Sequence, residues 1–138
     1  MRTLTVMLIL LACLLALGCA SPRAAETGAW QRSELYFGLS RRGAPEVTAE
    51  DWRAFVVSEV VPAFPGGFTE LTAQGFFSED GKSQHEPVRI LVILNPPEQI
   101  ATTNQKLDAI GRSYCNRFNQ DAVLRTDSEA RLTFLRGQ

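Results

Sequence analysis

Apolar and polar residues alternate shortly after residue 30, and this alternation predicts a first β-strand. Over residues 34–40, Leu35, Phe37 and Leu39 fall on one face of an extended chain, whereas Tyr36 falls on the other. Such strict alternation is typical of a strand that is buried on one side only. We therefore predict a half-buried strand over this segment.

Two later segments repeat apolar residues at the helical period. Residues 49 to about 61 form an apolar stripe that Thr48 precedes as a possible N-cap and that Pro62 ends. A second helix is predicted after the breaker Asn95-Pro96-Pro97, since prolines stop a strand and open a helix. Its apolar stripe consists of Ile100, Leu107, Ile110, Tyr114 and Phe118.

The remaining apolar segments predict three more strands. Residues 68–77 and 88–94 are extended in pattern, and Asp80-Gly81 between them is a strong hairpin signal. Residues 122–125 and 131–135 predict a last strand, or a short hairpin that turns around residues 127 and 128.

The resulting order is β-α-β-β-α-β, which predicts an α+β fold of the ferredoxin-like kind. Right-handed crossovers arrange these elements as a four-stranded antiparallel sheet with both helices on one face. The chain then consists of a leader over 1–18, a tether over 19–29 and a single α+β domain over 30–138.

The third predicted strand is apolar on both faces, so one apolar face of the sheet has no helix to cover it. Val88, Ile90, Val92 and Leu94 point one way, and Leu91 and Ile93 point the other way. We expect the uncovered face to carry Leu91, Ile93, Tyr36 and Phe76. Because exposed apolar patches seldom remain uncovered, we expect a second subunit, a ligand or the chain ends to cover it, most simply in a homodimer packed sheet to sheet.

The first nineteen residues have the pattern of an export signal. Arg2 precedes twelve uninterrupted apolar residues at 6–17, which are too few to span a bilayer. Leu17-Gly18-Cys19 ends this stretch and resembles the bacterial lipobox, which implies acylation of Cys19 after cleavage before it. An ordinary secretory signal with an incidental Cys19, or an uncleaved anchor helix, remains the alternative.

The lipobox resemblance implies a membrane-anchored protein outside the cytoplasm. Ala20 follows the lipidated position, and by the enterobacterial sorting rule this implies the periplasmic face of the outer membrane if the cell is Gram-negative. Cys115 is then the one thiol left in the domain, so no internal disulfide is expected.

Composition excludes two further classes of protein. The chain of 138 residues has 14 Lys and Arg against 15 Asp and Glu, which gives a net charge of −1. A nucleic-acid binder needs a surplus of cations for phosphates, and an acidic disordered protein needs a large negative excess. We therefore expect neither, and no nucleic acid as a partner.

Glu59, Tyr36 and His85 are the residues we consider for catalysis. Glu59 lies on the apolar stripe of the first predicted helix, where a buried carboxyl could act as a general acid or base. It could equally turn to solvent or pair with an arginine such as Arg89. His85 is the single histidine, and no Ser-His-Asp spacing surrounds it.

Two other groups have a functional and a structural interpretation. Glu79, Asp80, His85 and Glu86 could bind a divalent cation, but their spacing matches no known ligand set and a solvated hairpin loop explains them as well. Cys115 could be a reactive thiol, or a small packed residue at the edge of the second helix. We assign no metal site and no cofactor.

The predicted domain carries a set of aromatic, proline and glycine motifs. They are Trp30, Leu35-Tyr36-Phe37-Gly38-Leu39, Trp52-x-x-Phe55, Glu59-Val60-x-Pro62-x-Phe64-Pro65-x-Gly67-Phe68-Thr69, Gly75 and Glu86. With these motifs the chain resembles a family of exported bacterial proteins known as domain of unknown function 3574, many of them described as lipoproteins. The resemblance covers residues 30 to 135 and implies a fold and a location but no activity.

These observations favour a lipid-anchored, non-catalytic envelope module that binds another envelope protein or a small apolar molecule. The alternative is a small cofactor-free enzyme of the dimeric α+β-barrel type, in which the uncovered sheet face forms an apolar pocket. The two differ in one testable respect, because an enzyme needs at least two polar groups that converge in one pocket.

Overall fold

The computed structural model describes residues 29–41, 43–135 and 137. The predicted leader, the lipidation site Cys19 and nearly all of the tether lie outside these residues. Within the described residues, none of the helices has the length and apolar character needed to span a bilayer.

The described chain forms one four-stranded antiparallel sheet in the order β2-β3-β1-β4. This order and the two helical segments between the strands confirm the predicted α+β fold. The strands are β1 (Trp30–Gly38), β2 (Thr69–Glu79), β3 (Lys82–Asn95) and β4 (Leu124–Ala130).

The first helical segment, α1, begins at a capping box and contains a π-helical turn. It comprises Ala49–Phe55, the π turn Val56–Val60 and Val61–Ala63. The Thr48 side chain accepts a hydrogen bond from the Asp51 backbone N–H, 3.1 Å away. Pro62 within the segment has no N–H to continue the α-helical ladder, which gives a physical reason for the wider turn before it.

The second helix, α2, spans Ile100–Phe118 after a short 3-10 turn at Pro97–Gln99. It ends at Asn119, which adopts the left-handed conformation that often terminates helices. Its buried residues match the predicted stripe except that Thr103 joins it and Ile100 is only partly buried.

Aromatic rings fill the space between the helices and the sheet. Phe37 of β1 contacts Trp52 and Phe55 of α1 and Tyr114 of α2, with ring centroids 4.8 to 6.1 Å apart. The Tyr114 hydroxyl donates to the Gly38 carbonyl at 2.7 Å, so the buried phenol is satisfied. Burial raises the pKa of Tyr114. This cluster holds β1 against both helices.

The predicted assignment of the two sheet faces was wrong for Leu91, Ile93 and Phe76, and it was correct for Tyr36. Leu91 and Ile93 are 1% and 3% exposed and belong to the core beneath the helices. Their position follows from register, since Leu91 pairs with Leu35, whose face carries the aromatic core. The uncovered face therefore carries the alternate residues of β3, which are Val88, Ile90, Val92 and Leu94, together with Tyr36 of β1. Phe76 lies on the same face of the sheet as Leu91, in register with His85.

Two strand boundaries also differ from the prediction. β3 begins at Lys82, because the two-residue turn Asp80-Gly81 allows the hairpin to pair up to its tip; both residues have positive φ, as a tight hairpin turn requires. β4 runs straight through Asp127 and Ser128, which pair with β1, so the alternative of a hairpin there was wrong.

Candidate functional site

We call the sheet face opposite the helices the open face, and an apolar row crosses it. In register, Leu71 of β2, Ile90 of β3, Tyr36 of β1 and Leu124 of β4 lie side by side across all four strands. Leu71 is 44% exposed and Leu124 is 60% exposed. Large apolar groups in a continuous row are typical of an interaction surface rather than of a solvated sheet.

Alternate residues of β3 continue the apolar surface along the sheet. Val88, Ile90, Val92 and Leu94 all lie on the open face. Val88 and Val92 are buried, at 8% and 7% exposed, whereas Leu94 is 44% exposed. The apolar surface thus extends in two directions from Ile90.

A line of polar side chains on β1 adjoins this surface. The Arg32 Nε donates to Glu34 Oε1 at 2.7 Å, and the Tyr36 hydroxyl donates to the other carboxylate oxygen of Glu34. The hydrogen bonds from Tyr36 and then Arg32 lower the pKa of Glu34, and the same bond to Glu34 raises the pKa of Tyr36. Glu34 is therefore held as a carboxylate between two donors.

Glu86 lies in a gap that two glycines leave on the open face. It pairs with Gly75 of β2, and its carboxylate crosses over Gly38 of β1. A Cβ on Gly38 would be only 2.7 Å from Glu86 Oε2, and a Cβ on Gly75 would be 3.6 Å from Glu86 Cγ. The backbone thus holds a half-buried carboxylate in place, with no hydrogen bond or ion pair to it among the described residues.

The structure does not bring the three predicted catalytic residues together. Tyr36 lies on the open face, whereas Glu59 lies in the π turn of α1 on the helical side, and the sheet separates them. His85 lies near the hairpin tip and contacts the Phe76 ring, with centroids 6.0 Å apart. A single-chain pocket built on Glu59 and Tyr36 is thereby excluded.

Arg89 does not pair with Glu59. Its Nη1 donates to Glu70 at 3.1 Å and also to the Thr72 hydroxyl, both on the neighbouring β2. Glu59 is half-buried, and the π turn changes its direction from the one that a regular helical wheel predicts.

The hairpin residues do not form a metal site in the part of the chain that the structure describes. His85 and Glu86 are consecutive in β3, so their side chains point to opposite faces of the sheet. Strand geometry therefore prevents this pair from converging on one ion.

Cys115 is half-buried in a groove between α2 and β4, with a volume of about 430 Å³. Leu107, Gly111 and Val123 contribute apolar surface to this groove, and Arg125 lies at its edge. The Arg125 guanidinium is already paired with Asp108 at 2.8 Å and Asp127 at 3.0 Å. The groove thus offers Cys115 a packed position, and the carboxylates of Asp108 and Asp121 also line it.

The sequence reasoning missed Arg32 and Glu34 and placed Glu86 in a loop. The first predicted strand began at residue 34, which left out Arg32, although the alternation of Arg32, Glu34 and Tyr36 could have revealed one polar face. Glu86 lay in the predicted turn, so its two glycine neighbours were not brought together with it.

The fold and this face define an α+β protein whose sheet is covered by helices on one side only. The chain belongs to the family described as protein of unknown function (DUF3574), whose model matches residues 32–134. No curated protein matches the chain.

Among solved structures, the chain is similar to a phage SAM lyase in two states. In complex with S-methyl-5'-thioadenosine, that protein is 19% identical, with a TM-score of 0.54 over 74% of this chain and 82% of that chain. In the apo state it is 18% identical, with a TM-score of 0.55 over 80% of this chain and 87% of that chain. At this level of identity the likeness concerns the fold.

Proposed function

We propose that this chain is a lipid-anchored envelope protein that acts as a non-catalytic interaction module, and that the open face binds a second copy of the chain. The observation that carries the proposal is the apolar row of Leu71, Ile90, Tyr36 and Leu124, which no described element covers. Removing such a surface from water favours association.

The size of the open face supports a sheet-to-sheet homodimer. Two strands meet in the row of Glu86, three in the rows of Val88 and Leu94, and four in the rows of Ile90 and Val92. With strands about 4.8 Å apart, these rows give a footprint of roughly 500 Å² per copy, or roughly 1,000 Å² for two, which reaches the lower range of specific interfaces. A second copy presents the same apolar face, so each surface covers the other.

The leader supports the proposed location. The short apolar segment ending in Leu17-Gly18-Cys19 accounts for export and lipidation, and Ala20 favours the outer membrane in a Gram-negative cell. Two or more acyl chains give stable anchoring, which raises the local concentration of copies on one surface.

The experiment compares Leu124→Glu with Val57→Glu in the full chain, extracted in detergent and measured by native mass spectrometry. Leu124 is 60% exposed on the open face, and Val57 is 61% exposed on α1, so the two substitutions are matched in exposure. We expect a dimer for the parent chain and for Val57→Glu, and a monomer for Leu124→Glu.

A monomeric parent chain would refute the homodimer. If another envelope protein or a small apolar molecule then co-purifies and Leu124→Glu releases it, the open face binds that partner instead of a second copy.

The second candidate function is a small cofactor-free enzyme, and the fold likeness to a SAM lyase favours it. The open face supplies two carboxylates, Glu34 and Glu86, beside apolar surface that could hold a small molecule. Calorimetric titration of the full chain with SAM and with S-methyl-5'-thioadenosine tests this candidate. Binding that Glu86→Gln weakens at least tenfold would support the enzyme, and absence of heat with both compounds would refute this form of it.

A further inference from the structure

The guanidinium of Arg32, which is paired with Glu34, lies at one end of the open face, and the carboxylate of Glu86 lies at the other end. Arg32 is in register with Leu94 at one end, and Glu86 lies eight residues earlier on β3 at the other end. At about 3.3 Å per residue the two positions are roughly 26 Å apart along the strands. The row of Ile90 and Tyr36 lies midway between them.

Both charged groups retain unused bonding capacity. Among the described residues, only the Nε of Arg32 has a partner, Glu34, so the two terminal nitrogens of its guanidinium are left to donate. The Glu86 carboxylate is half-buried over Gly38, and no donor to it lies among the residues that the structure describes. A carboxylate in that position gains from an arginine that approaches from above the sheet.

We infer that two copies pack with antiparallel strands across the open face, so that Arg32 of each copy binds Glu86 of the other. This inference rests on the proposed function. A two-fold axis between the sheets and perpendicular to the strands exchanges the two ends of the face and leaves the Ile90 row at the centre. Aligned sheets cross at about 30°. This crossing shifts each end of one open face sideways, relative to the face of the other copy, by roughly one strand spacing. This shift lies within the reach of an arginine side chain.

The charge pattern disfavours the other symmetric arrangement. A two-fold axis along the strands would place the Arg32 end over the Arg32 end and Glu86 near Glu86 of the second copy. Like charges brought together in an interface oppose association, whereas complementary charges set its register. The two-fold axis of the antiparallel arrangement also repeats the pair of Arg32 with Glu86, so each dimer contains two equivalent pairs.

Charge reversal in the full chain tests the inference. We expect Arg32→Glu and Glu86→Arg each to raise the dimer dissociation constant at least tenfold at low salt. The combination of both in one chain should restore it to within about threefold of the parent value, because the pair is then reversed but complementary. Arg53→Glu, on the exposed side of α1, is the control and should leave the constant unchanged.

A second measurement does not depend on the reversed charges. In a Cys115→Ser background, a chain with both Arg32→Cys and Glu86→Cys should form disulfide-linked dimers under mild oxidation, whereas Arg32→Cys alone should not. Thermal melting of each variant shows that it folds.

The outcomes separate this inference from the proposed function. A dimer that Leu124→Glu dissociates, but that neither charge reversal nor the cysteine pair affects, would overturn the antiparallel register and leave the open-face dimer standing. Disulfide formation by Arg32→Cys alone would indicate the opposite symmetry. A parent chain that stays monomeric would overturn both.

Discussion

At the scale of single residues, a polar network ties β1 to β4 at one end of the sheet. The buried Ser33 donates to Asp127 Oδ1 at 2.6 Å, and Gln31 Nε2 donates to the same oxygen at 2.7 Å. Arg125 also donates to Oδ1, from Nε at 3.2 Å and from Nη2 at 3.1 Å, and its Nη2 lies 3.0 Å from Oδ2. Burial raises the pKa of Asp127, but hydrogen bonds from Ser33, Arg125 and Gln31 outweigh it, so the net pKa is lowered.

This lowered pKa predicts an acid-dependent contribution to stability. An aspartate with an unfolded pKa of about 3.9 and a lower folded pKa stabilises the fold above that unfolded value, and the contribution is lost as the pH falls through the folded pKa. We therefore expect Asp127→Asn to be less stable than the parent at pH 7 and to approach it at pH 3. Urea unfolding at both pH values measures the difference, and a constant difference would contradict the assignment.

Gly111 is a second position where one residue decides stability. It lies inside α2, and a Cβ there would be 3.7 Å from Val123 Cβ, an ordinary contact distance. Because glycine within a helix costs about 1 kcal/mol relative to alanine, Gly111→Ala should raise the free energy of unfolding by about 0.5 to 1 kcal/mol. Chemical denaturation measures this.

Gly81→Ala should instead lower the free energy of unfolding, because Gly81 has a φ of 72° in the hairpin turn. The same denaturation experiment measures this loss.

At the scale of elements, α1 combines a well-capped start with an irregular end. Thr48 and Asp51 form a reciprocal capping box, whereas the second half contains the π turn and Pro62. Lys106 of α2 donates to the Ala63 carbonyl at 3.0 Å, which supplies a donor for the C-terminal end of α1. The helix is therefore stabilised locally at its start and by tertiary contacts at its end.

The cap predicts a local loss of stability. Thr48→Ala removes the acceptor for the Asp51 N–H and should lower the free energy of unfolding by about 1 kcal/mol. Equilibrium unfolding monitored by circular dichroism provides the measurement. Thr102→Ala, an exposed threonine within α2, serves as the control, since alanine there has the higher helix propensity. An equal loss in both variants would argue against the capping box.

At the scale of the whole molecule, the proposed function joins an anchor to an interaction face. The face lies on the domain, and the proposed anchor lies outside the described residues, so each requires its own test. The proposed dimerisation through the open face depends on sheet surface, whereas the proposed location depends on the Cys19 thiol.

Loss of that thiol should change the location of the protein. We expect Cys19→Ser to remove the protein from the membrane fraction, because in the proposed lipoprotein the acylated amino-terminal cysteine supplies the anchoring chains. Mass spectrometry of the amino-terminal peptide should show acyl groups on the parent chain, with Ala20→Asp as a control that keeps the thiol. An unmodified Cys19 in the parent chain would refute the lipoprotein proposal.

Element type and order could be predicted from sequence because they depend on local periodicity and turn chemistry. The period-two pattern of β1, the stripe of α2 and the Asp80-Gly81 turn each lie within a few neighbouring residues. The β4 hairpin was mispredicted because Asp127 and Ser128 are turn formers locally, and their pairing with β1 overrides that preference.

The amino-acid sequence by itself determined the elements of this protein, their order and the presence of one surplus apolar face, since these follow from hydrophobic spacing. Only the tertiary structure decided which face that is. β3 is apolar on both sides, so its local pattern is symmetric, and pairing with the aromatic side of β1 chose Leu91 for the core. The same register brought Gly38, Gly75 and Glu86 together from three strands, a convergence that depends on pairing between residues distant in the chain.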